Sequence, residues 1–297
     1  MQSNVPQIFD RARLRRNRTR RAAGFDAYDF LLRRAATDLA GRIALQNRDF
    51  DKALCLGASG GALRTALAKQ GGARLTKLSD TLIEADLAAP MLPQGGVVLD
   101  EEALPLKPQS LDLVASLWGM HHVNDLPGAL LQIRRALKPD GLFLAALPGG
   151  ATLAALRTAF LEKEAEILGG AHPHIHPFAD LQDLAGLMQR AGFALPVADS
   201  DMVEVRYQNP YRLLDDLRGM GEANVLTARP RQFLRRDVLM AALAQFANET
   251  QEDGKAVAAF EICYLAGWAP HESQTQAHEE GQAFTRFDES ALPDKMF

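Results

Sequence analysis

The sequence has little cysteine and no long apolar run. Its two cysteines among 297 residues, Cys55 and Cys263, lie among apolar neighbours and not in the closely spaced pairs of a metal site. The sequence therefore predicts neither a disulfide scaffold nor a zinc site built from cysteine. No apolar segment approaches the roughly 18–20 residues that a membrane-spanning helix needs. We expect a soluble protein of a reducing compartment, without a membrane span.

An excess of charge of one sign is also lacking, since 33 basic side chains stand against 37 acidic ones. This balance gives no reason to expect nucleic-acid binding. Residues 11–21 are an exception, because they contain seven arginines and no acid. An organelle transit sequence and a retained basic helix are both compatible with this composition. The apolar Ile8, Phe9 and Leu14 favour a retained helix that contacts a partner or covers the site, in a cytoplasmic protein. A cleaved leader would instead place the protein in the mitochondrial matrix.

Apolar segments along the chain alternate between the spacing of strands and that of helices. The run from Ala53 to Leu56 stops at a glycine-rich turn, and apolar residues from Leu63 onward recur at helical intervals. Later strands are predicted at residues 74–78, 96–99, 111–117 and 142–147. Strands that alternate with helices predict an α/β fold, doubly wound around a mostly parallel sheet.

The remaining segments flank this sheet pattern. The arginine-rich segment and an amphipathic pattern over residues 26–46 predict N-terminal helices. A helical insertion at about 210–251 precedes a last strand at 258–268, and we expect it to help roof the site at the carboxyl ends of the strands. The predicted organisation is N-terminal helices over residues 1–48, the doubly wound domain over 49–274 and a polar tail over 275–297.

Two turns would lie at the carboxyl ends of neighbouring strands, where open α/β sheets bind ligands. The turn from Gly57 to Gly61 lets the backbone approach a ligand closely, although it has neither a phosphate-loop sequence nor a Gly-x-Gly-x-x-Gly spacing. Asp100 and Glu101 form an acidic turn after the third strand. A carboxylate there can accept a hydrogen bond from an exocyclic amine such as adenine N6.

Two further sets of polar residues are candidates for catalysis. His121 and His122 follow the fourth strand, which ends at Leu117, where a general base or a substrate contact would lie. The alternative is a pair of partly buried histidines that bond to backbone carbonyls. Glu222, in a loop after a helix, offers a carboxylate that can bind a guanidinium group in bidentate fashion, and a capping role is the alternative.

A histidine-rich segment raises the question of a metal site. His172, His174 and His176 alternate, and in an extended segment all three imidazoles would face one side, as metal ligation requires. Pro173 and Pro177 interrupt this segment, however, and disfavour a regular strand. We therefore expect no metal site.

The two turns, the strand Leu-Asp-Leu-Val and the sequence Leu-Lys-Pro-Asp-Gly together resemble class I S-adenosylmethionine-dependent methyltransferases. Stretches outside these motifs resemble one branch, the mitochondrial complex I assembly factor 5 family and its alphaproteobacterial relatives. These stretches are Ile8–Arg11, Val123–Pro127, Pro173–Phe178, Leu217–Asn224 and His271–Gln274. The resemblance covers roughly residues 7–274.

The resemblance implies that the chain binds S-adenosylmethionine and hydroxylates an arginine on a complex I subunit. Ordinary methylation is the alternative, since the malonyl-carrier-protein methyltransferases share the fold, and a non-catalytic assembly chaperone is a further one. The predicted cofactor-binding residues are Gly57, Ser59, Gly61, Asp80, Asp100, Glu101 and Leu117. The predicted catalytic residues are His121, His122, Asp125 and Glu222, of which the two acids would hold the guanidinium group.

The glycine turn departs from the usual methyltransferase pattern Asp/Glu-x-Gly-x-Gly-x-Gly. Cys55 stands at the acidic position, and Ser59 replaces the middle glycine. The acid expected to hold the ribose hydroxyls would fall near Leu78 or Ser79, where only Asp80 is close. Because each lost charged hydrogen bond would cost roughly 1.5–3 kcal/mol, we expect weakened cofactor binding.

Overall fold

The computed structural model describes residues 5–272 and 274, so the predicted polar tail at 275–297 lies outside the described residues. The strands are β1 (Ala53–Leu56), β2 (Ile83–Asp86), β3 (Val97–Val98), β4 (Leu111–Leu117), β5 (Leu137–Pro148), β6 (Ala194–Tyr207), β7 (Gln251–Glu252) and β8 (Lys255–Trp268). The helices are α1 (Arg11–Arg21), α2 (Phe30–Ala44), α3 (Ala62–Gln70), α4 (Ala73–Thr81), α5 (Leu126–Ala136), α6 (Ala154–Leu168), α7 (Leu181–Arg190), α8 (Tyr211–Gly219) and α9 (Arg236–Glu249). No helix within the described part of the chain is long and apolar enough to cross a membrane.

The sheet has the order β3-β2-β1-β4-β5-β8-β6, and this order confirms the predicted doubly wound fold. Strands β1 to β5 pair in parallel, whereas β8 runs antiparallel between β5 and β6. The strand order reverses direction between β1 and β4, so a crevice opens at the carboxyl ends of these two strands. We call the edge where β1, β2 and β4 end the crevice.

Apolar side chains from alternate strand positions enter two core layers. Leu113, Ala115 and Leu117 of β4 pack with helices α2, α3, α6 and α9 on one face. Val114 packs on the other face, with helices α5 and α7. A strand buried on both faces has this pattern, because successive side chains point to opposite sides of the sheet.

The prediction of a strand at residues 74–78 is wrong. These residues lie in α4, and the second strand follows at Ile83–Asp86. Leu75 and Leu78 are three residues apart and both buried, whereas Thr76 and Lys77 between them are exposed. That spacing is helical, and a strand would have alternated burial at every second residue. The shift of the second strand changes which acid reaches the crevice.

The insertion between β6 and β8 consists of α8, a long loop and α9. Helix α9 packs against α6, away from the crevice. The loop after α8 returns to the crevice, where Val225 and Leu226 form a small apolar cluster with Phe9 and Leu14 of the N-terminal segment. The N-terminal segment and the insertion therefore meet above the carboxyl ends of the strands.

Candidate functional site

The glycine turn after β1 lies against the end of β4. Gly57 and Gly61 have φ values of +74° and +85°, in the left-handed region that favours glycine. A Cβ on Gly57 would lie 2.1 Å from the carbonyl oxygen of Leu117, so no side chain fits there. Ser59 is buried within the turn. The structure thus brings together four of the predicted cofactor-binding residues.

Asp86 is the acid at the end of the second strand, and the sequence analysis missed it. Its carboxylate is almost fully buried and accepts a hydrogen bond from the backbone N–H of Ala88 at 2.9 Å. Asp80, the predicted acid, instead lies on the exposed side of α4. The correction follows from the position of β2, since an acid can reach the crevice only from the carboxyl end of that strand. In the sequence, the alternation of apolar and acidic residues over residues 83–86 (Ile-Glu-Ala-Asp) could have indicated this strand.

The acidic turn after β3 carries the next pair of carboxylates. Asp100 is partly exposed, whereas Glu101 is buried and reaches the backbone beyond β4, where a Cβ on Gly119 would lie 2.9 Å from its Oε1. Burial raises the pKa of Glu101, against the opposing charge of Arg11. Both predicted acids therefore lie at the crevice, on the side of β4.

Helix α1 places two arginines on these carboxylates. Arg18 donates to both oxygens of Asp86, from Nε at 3.1 Å and from Nη2 at 2.5 Å, and also to Ser59 Oγ at 2.9 Å. Arg11 donates to Asp100 Oδ1 at 2.6 Å and to Glu101 Oε2. The two arginines are seven residues apart, which is two helical turns, so they project from the same face. The basic helix lies across the crevice.

The residues that follow β4 meet Glu222 from the insertion loop. His121 Nε2 lies 3.2 Å from Glu222 Oε2, and His122 Nε2 lies 3.3 Å from the same oxygen. We call His121, His122 and Glu222 the His–Glu cluster. The structure thus brings together three of the four predicted catalytic residues, although Glu222 is 101 positions after His121 in sequence. Asp125, the fourth, caps helix α5 by accepting the backbone N–H of Gly128 at 2.9 Å.

Burial and close contacts set the charge of this cluster. Burial lowers the pKa of His122 well below its usual value, and the neighbouring His121 and His176 add to the effect. Burial alone would raise the pKa of Glu222, but the nearby imidazoles and the charge of Arg18 hold it below its usual value. Near neutral pH the cluster therefore combines an ionised carboxylate with a neutral imidazole at position 122.

The alternating histidines of the sequence divide between two sites. His172 donates its backbone N–H to Glu164 at 2.6 Å, and the His174 ring nitrogen Nε2 lies 3.0 Å from the same carboxylate. His176 faces the opposite way, with Nδ1 at 3.2 Å from His122 Nε2. The three imidazoles do not share one side, so this segment does not form a three-histidine metal site.

A mainly apolar cavity adjoins the His–Glu cluster. Its lining includes Trp118, His176, Phe178, Leu217, Met220 and Glu222. Trp118 has a φ of +57°, a strained value for an aromatic residue, and this conformation turns the chain from β4 towards His121. A cavity with apolar walls and one carboxylate fits the stem and the charged head of a long basic side chain.

The crevice residues fit a bound nucleoside. Asp86 and Asp100 offer carboxylate acceptors for hydroxyl and amino groups at neighbouring strand ends, and the glycine turn leaves room for close approach. Cys55 is fully buried in the core, so no acid occupies that position. In the described structure, Arg18 and Arg11 occupy the acceptors that such a ligand would use.

Comparisons with known proteins show what the chain is similar to. A family model described as a methyltransferase domain matches residues 54–145. The protein named "Arginine-hydroxylase NDUFAF5, mitochondrial" from Danio rerio is 38% identical over 285 residues, which cover 94% of this chain and 88% of that protein. A malonyl-[acyl-carrier protein] O-methyltransferase from Methylovorus sp. is 30% identical over 274 residues, covering 89% of this chain and 90% of that protein.

Solved structures show the same fold at low sequence identity. A methyltransferase-like protein from Bacillus halodurans superposes with a TM-score of 0.52 at 14% identity, covering 79% of this chain and 99% of that one. The likeness in fold, the matched methyltransferase domain and the identity over most of the chain all agree. The chain belongs to the NDUFAF5 family, within the class I methyltransferase superfamily.

Proposed function

We propose that the crevice binds S-adenosylmethionine. Asp86 would accept the ribose hydroxyls, and Asp100 would accept the adenine amino group. The turn from Gly57 to Gly61 would supply backbone contacts, with Leu117 at the floor. When bound, this cofactor supplies an electrophilic methyl group or a charged platform beside the substrate. The acid at the end of the second strand is present, so the weakening expected from the sequence is confined to Cys55 and Ser59.

We propose that the protein hydroxylates an arginine side chain of a complex I subunit. The single observation that carries this proposal is the His–Glu cluster beside the cavity, in a chain 38% identical to a named arginine hydroxylase. A guanidinium group stays charged at neutral pH, so a carboxylate can orient it without proton transfer. Glu222 turns Oε2 to the imidazoles, which leaves Oε1 as an acceptor for that group.

The place of action follows from the partner. The related proteins from Danio rerio, mouse and human are named as mitochondrial. Their location favours the mitochondrial matrix for a chain that acts on the same kind of subunit. A bacterial chain would act in the cytoplasm. In either compartment the arginine must enter the cavity from a folded or folding protein.

Ordinary methylation is the second candidate function. The specific observation that favours it is the 30% identity with an O-methyltransferase over most of both chains. Methyl transfer needs mainly a nucleophile aligned with the methyl carbon and a base to lower its proton affinity.

A non-catalytic assembly chaperone is the further alternative. The ion pairs of Arg11 and Arg18 with the crevice carboxylates are the observation that favours it. In that case the methyltransferase fold would provide a binding surface for complex I subunits, and helix α1 would keep the crevice covered.

Mass spectrometry of the substrate subunit separates the three functions. The peptide that carries the modified arginine is compared between cells with and without this protein. Hydroxylation adds about 16 Da and methylation about 14 Da to that peptide. We expect the gain of about 16 Da. A gain of about 14 Da would establish the methyltransferase instead, and assembly failure with neither gain would establish the chaperone.

A further inference from the structure

The His–Glu cluster has the composition and spacing of a metal-binding site. Two imidazole nitrogens and one carboxylate oxygen lie within 4.8 Å of one another. The carboxylate oxygen is 3.2 Å from one imidazole nitrogen and 3.3 Å from the other. Two ligands at about 2.1 Å from a common ion are separated by roughly 3.0–3.4 Å at octahedral to tetrahedral angles. Both nitrogen-to-oxygen separations fall within this range.

The hydrogen bonds around His176 provide a second, independent observation. The backbone N–H of Val225 donates to His176 Nε2 at 3.2 Å, so that nitrogen carries the lone pair and Nδ1 carries the proton. Nδ1 faces His122 Nε2 at 3.2 Å, which must therefore present its own lone pair. The same His122 nitrogen lies 3.3 Å from Glu222 Oε2, which is also an acceptor. A cation between Nε2 and Oε2 would relieve this contact between two acceptors, and it would take the Nε2 lone pair from the hydrogen bond with His176.

The other imidazole is also incompletely satisfied. The His121 side chain is only 2% exposed, and its Nδ1 is buried without a hydrogen-bond partner. An unpaired buried nitrogen is unfavourable, and ligation through Nε2 would leave the ring proton on Nδ1 as an unused donor at the site.

The position of the cluster leaves space for further ligands. Glu222 and His176 line the apolar cavity that also contacts Trp118 and Phe178. Two histidines and one carboxylate that occupy one side of an ion leave its remaining positions open, as in non-haem iron oxygenases. Those positions would face the cavity into which the substrate side chain extends.

We infer that His121, His122 and Glu222 bind one divalent transition-metal ion, in contrast to the expectation from sequence that the chain has no metal site. The assignment of this ion as Fe(II) rests on the proposed hydroxylase function. Dioxygen is then the oxidant, and an ene-diol reductant such as ascorbate supplies two electrons and two protons. One oxygen atom enters the broken substrate C–H bond, and the other leaves as water.

Metal titration of the purified full-length protein, without a polyhistidine tag, tests this inference. Co(II) is added as a spectroscopic probe and Fe(II) is added without oxygen, with nitric oxide as a reporter of iron by electron paramagnetic resonance. We expect one ion per chain and visible absorption from Co(II). Glu222→Gln, which keeps the side-chain size, should weaken binding by about a hundredfold or more.

The matched control is Glu166→Gln, which makes the same change at an exposed carboxylate outside the cluster. It should bind metal as the wild type does. Thermal stabilisation by Co(II), present in the wild type and absent in Glu222→Gln, gives a second readout that requires only folded protein. Absence of stoichiometric binding, or equal binding by Glu222→Gln, would overturn the inference.

The peptide mass separates this inference from the proposed function. Metal binding without a gain of about 16 Da on the substrate would leave the site standing and remove the hydroxylase proposal. A gain of about 16 Da by a protein that binds no metal would remove the site and leave the hydroxylase proposal standing.

Discussion

Arg18 and Asp86 form a buried ion pair at the position that we propose for the ribose of the cofactor. Asp86 accepts from both ends of the guanidinium group and from the backbone of Ala88, so its acceptor capacity is largely used. Removal of one partner from a buried pair leaves the other charge uncompensated. The pair therefore competes with any ligand that would bond to the same carboxylate.

Replacement of Arg18 by methionine should open this acceptor. Without cofactor, the free energy of unfolding should fall by roughly 3–5 kcal/mol, because Asp86 remains buried and unpaired. Calorimetric titration should nevertheless show tighter S-adenosylmethionine binding than in the wild type, and the cofactor should raise the melting temperature more. Arg20→Met, an exposed position on the same helix, is the matched control. Weaker binding in Arg18→Met would show that the arginine supports the cofactor.

Asp86 and Asp80 are two nearby acids, and only Asp86 lies at the carboxyl end of β2. Asp86→Asn should weaken S-adenosylmethionine binding by roughly 1.5–3 kcal/mol, since it removes a charge-assisted acceptor at the end of β2. Asp80→Asn, on the exposed side of α4, should leave the affinity unchanged. The two dissociation constants are measured by calorimetry. A larger effect at position 80 than at position 86 would contradict the ribose assignment.

At the scale of elements, helix α6 holds the histidine-rich loop through one carboxylate. Glu164 is nearly buried and accepts from the backbone of His172 and from the rings of His172 and His174. The loop then continues to His176 beside the His–Glu cluster. The position of the His176 imidazole therefore depends on the hydrogen bonds of Glu164 to His172 and His174.

The pH dependence of stability tests this contact. Burial alone would raise the pKa of Glu164, but hydrogen bonds from His172 and His174 lower it below its usual value of 4.5. A lowered pKa stabilises the fold above the unfolded value, and this stabilisation is lost as pH falls through the folded value. Urea unfolding at pH 7 should show wild type more stable than Glu164→Gln by roughly 1–3 kcal/mol.

The difference should shrink as the pH falls below about 4.5, where the unfolded carboxyl takes up its proton. Glu166→Gln is the control, because that exposed carboxylate only pairs with Lys163 at the surface. Equal stability of wild type and Glu164→Gln at pH 7 would show that Glu164 does not hold the histidine-rich loop. A difference in stability that does not depend on pH would show the same.

At the scale of the whole molecule, the architecture was predictable and the contacts above the crevice were not. Alternating apolar segments predicted the doubly wound sheet, and β4 and α1 have the predicted bounds. The second strand was misplaced because a short apolar segment at helical spacing, with Leu75 and Leu78, resembles a strand over five residues. That error placed the expected ribose acid at Asp80, whereas we now propose Asp86 for this role.

The candidate site depends on contacts between distant parts of the chain, and sequence spacing does not encode these. His121 and Glu222 were predicted separately, yet their proximity required the insertion loop to return to the end of β4. Arg18 could not be distinguished by sequence among the seven arginines of residues 11–21, since the packing of Leu14 and its neighbours determines which side of α1 faces the crevice. The composition suggested a covering helix but not which two arginines pair with acids.

The proposed function requires the His–Glu cluster for arginine hydroxylation. Cells that lack this protein are complemented with the wild type, with Glu222→Gln or with the exposed control Glu166→Gln, and equal protein levels are verified. The mass of the target peptide is then measured. Wild type and Glu166→Gln should restore the gain of about 16 Da, and Glu222→Gln should not. Full restoration by Glu222→Gln would contradict the claim.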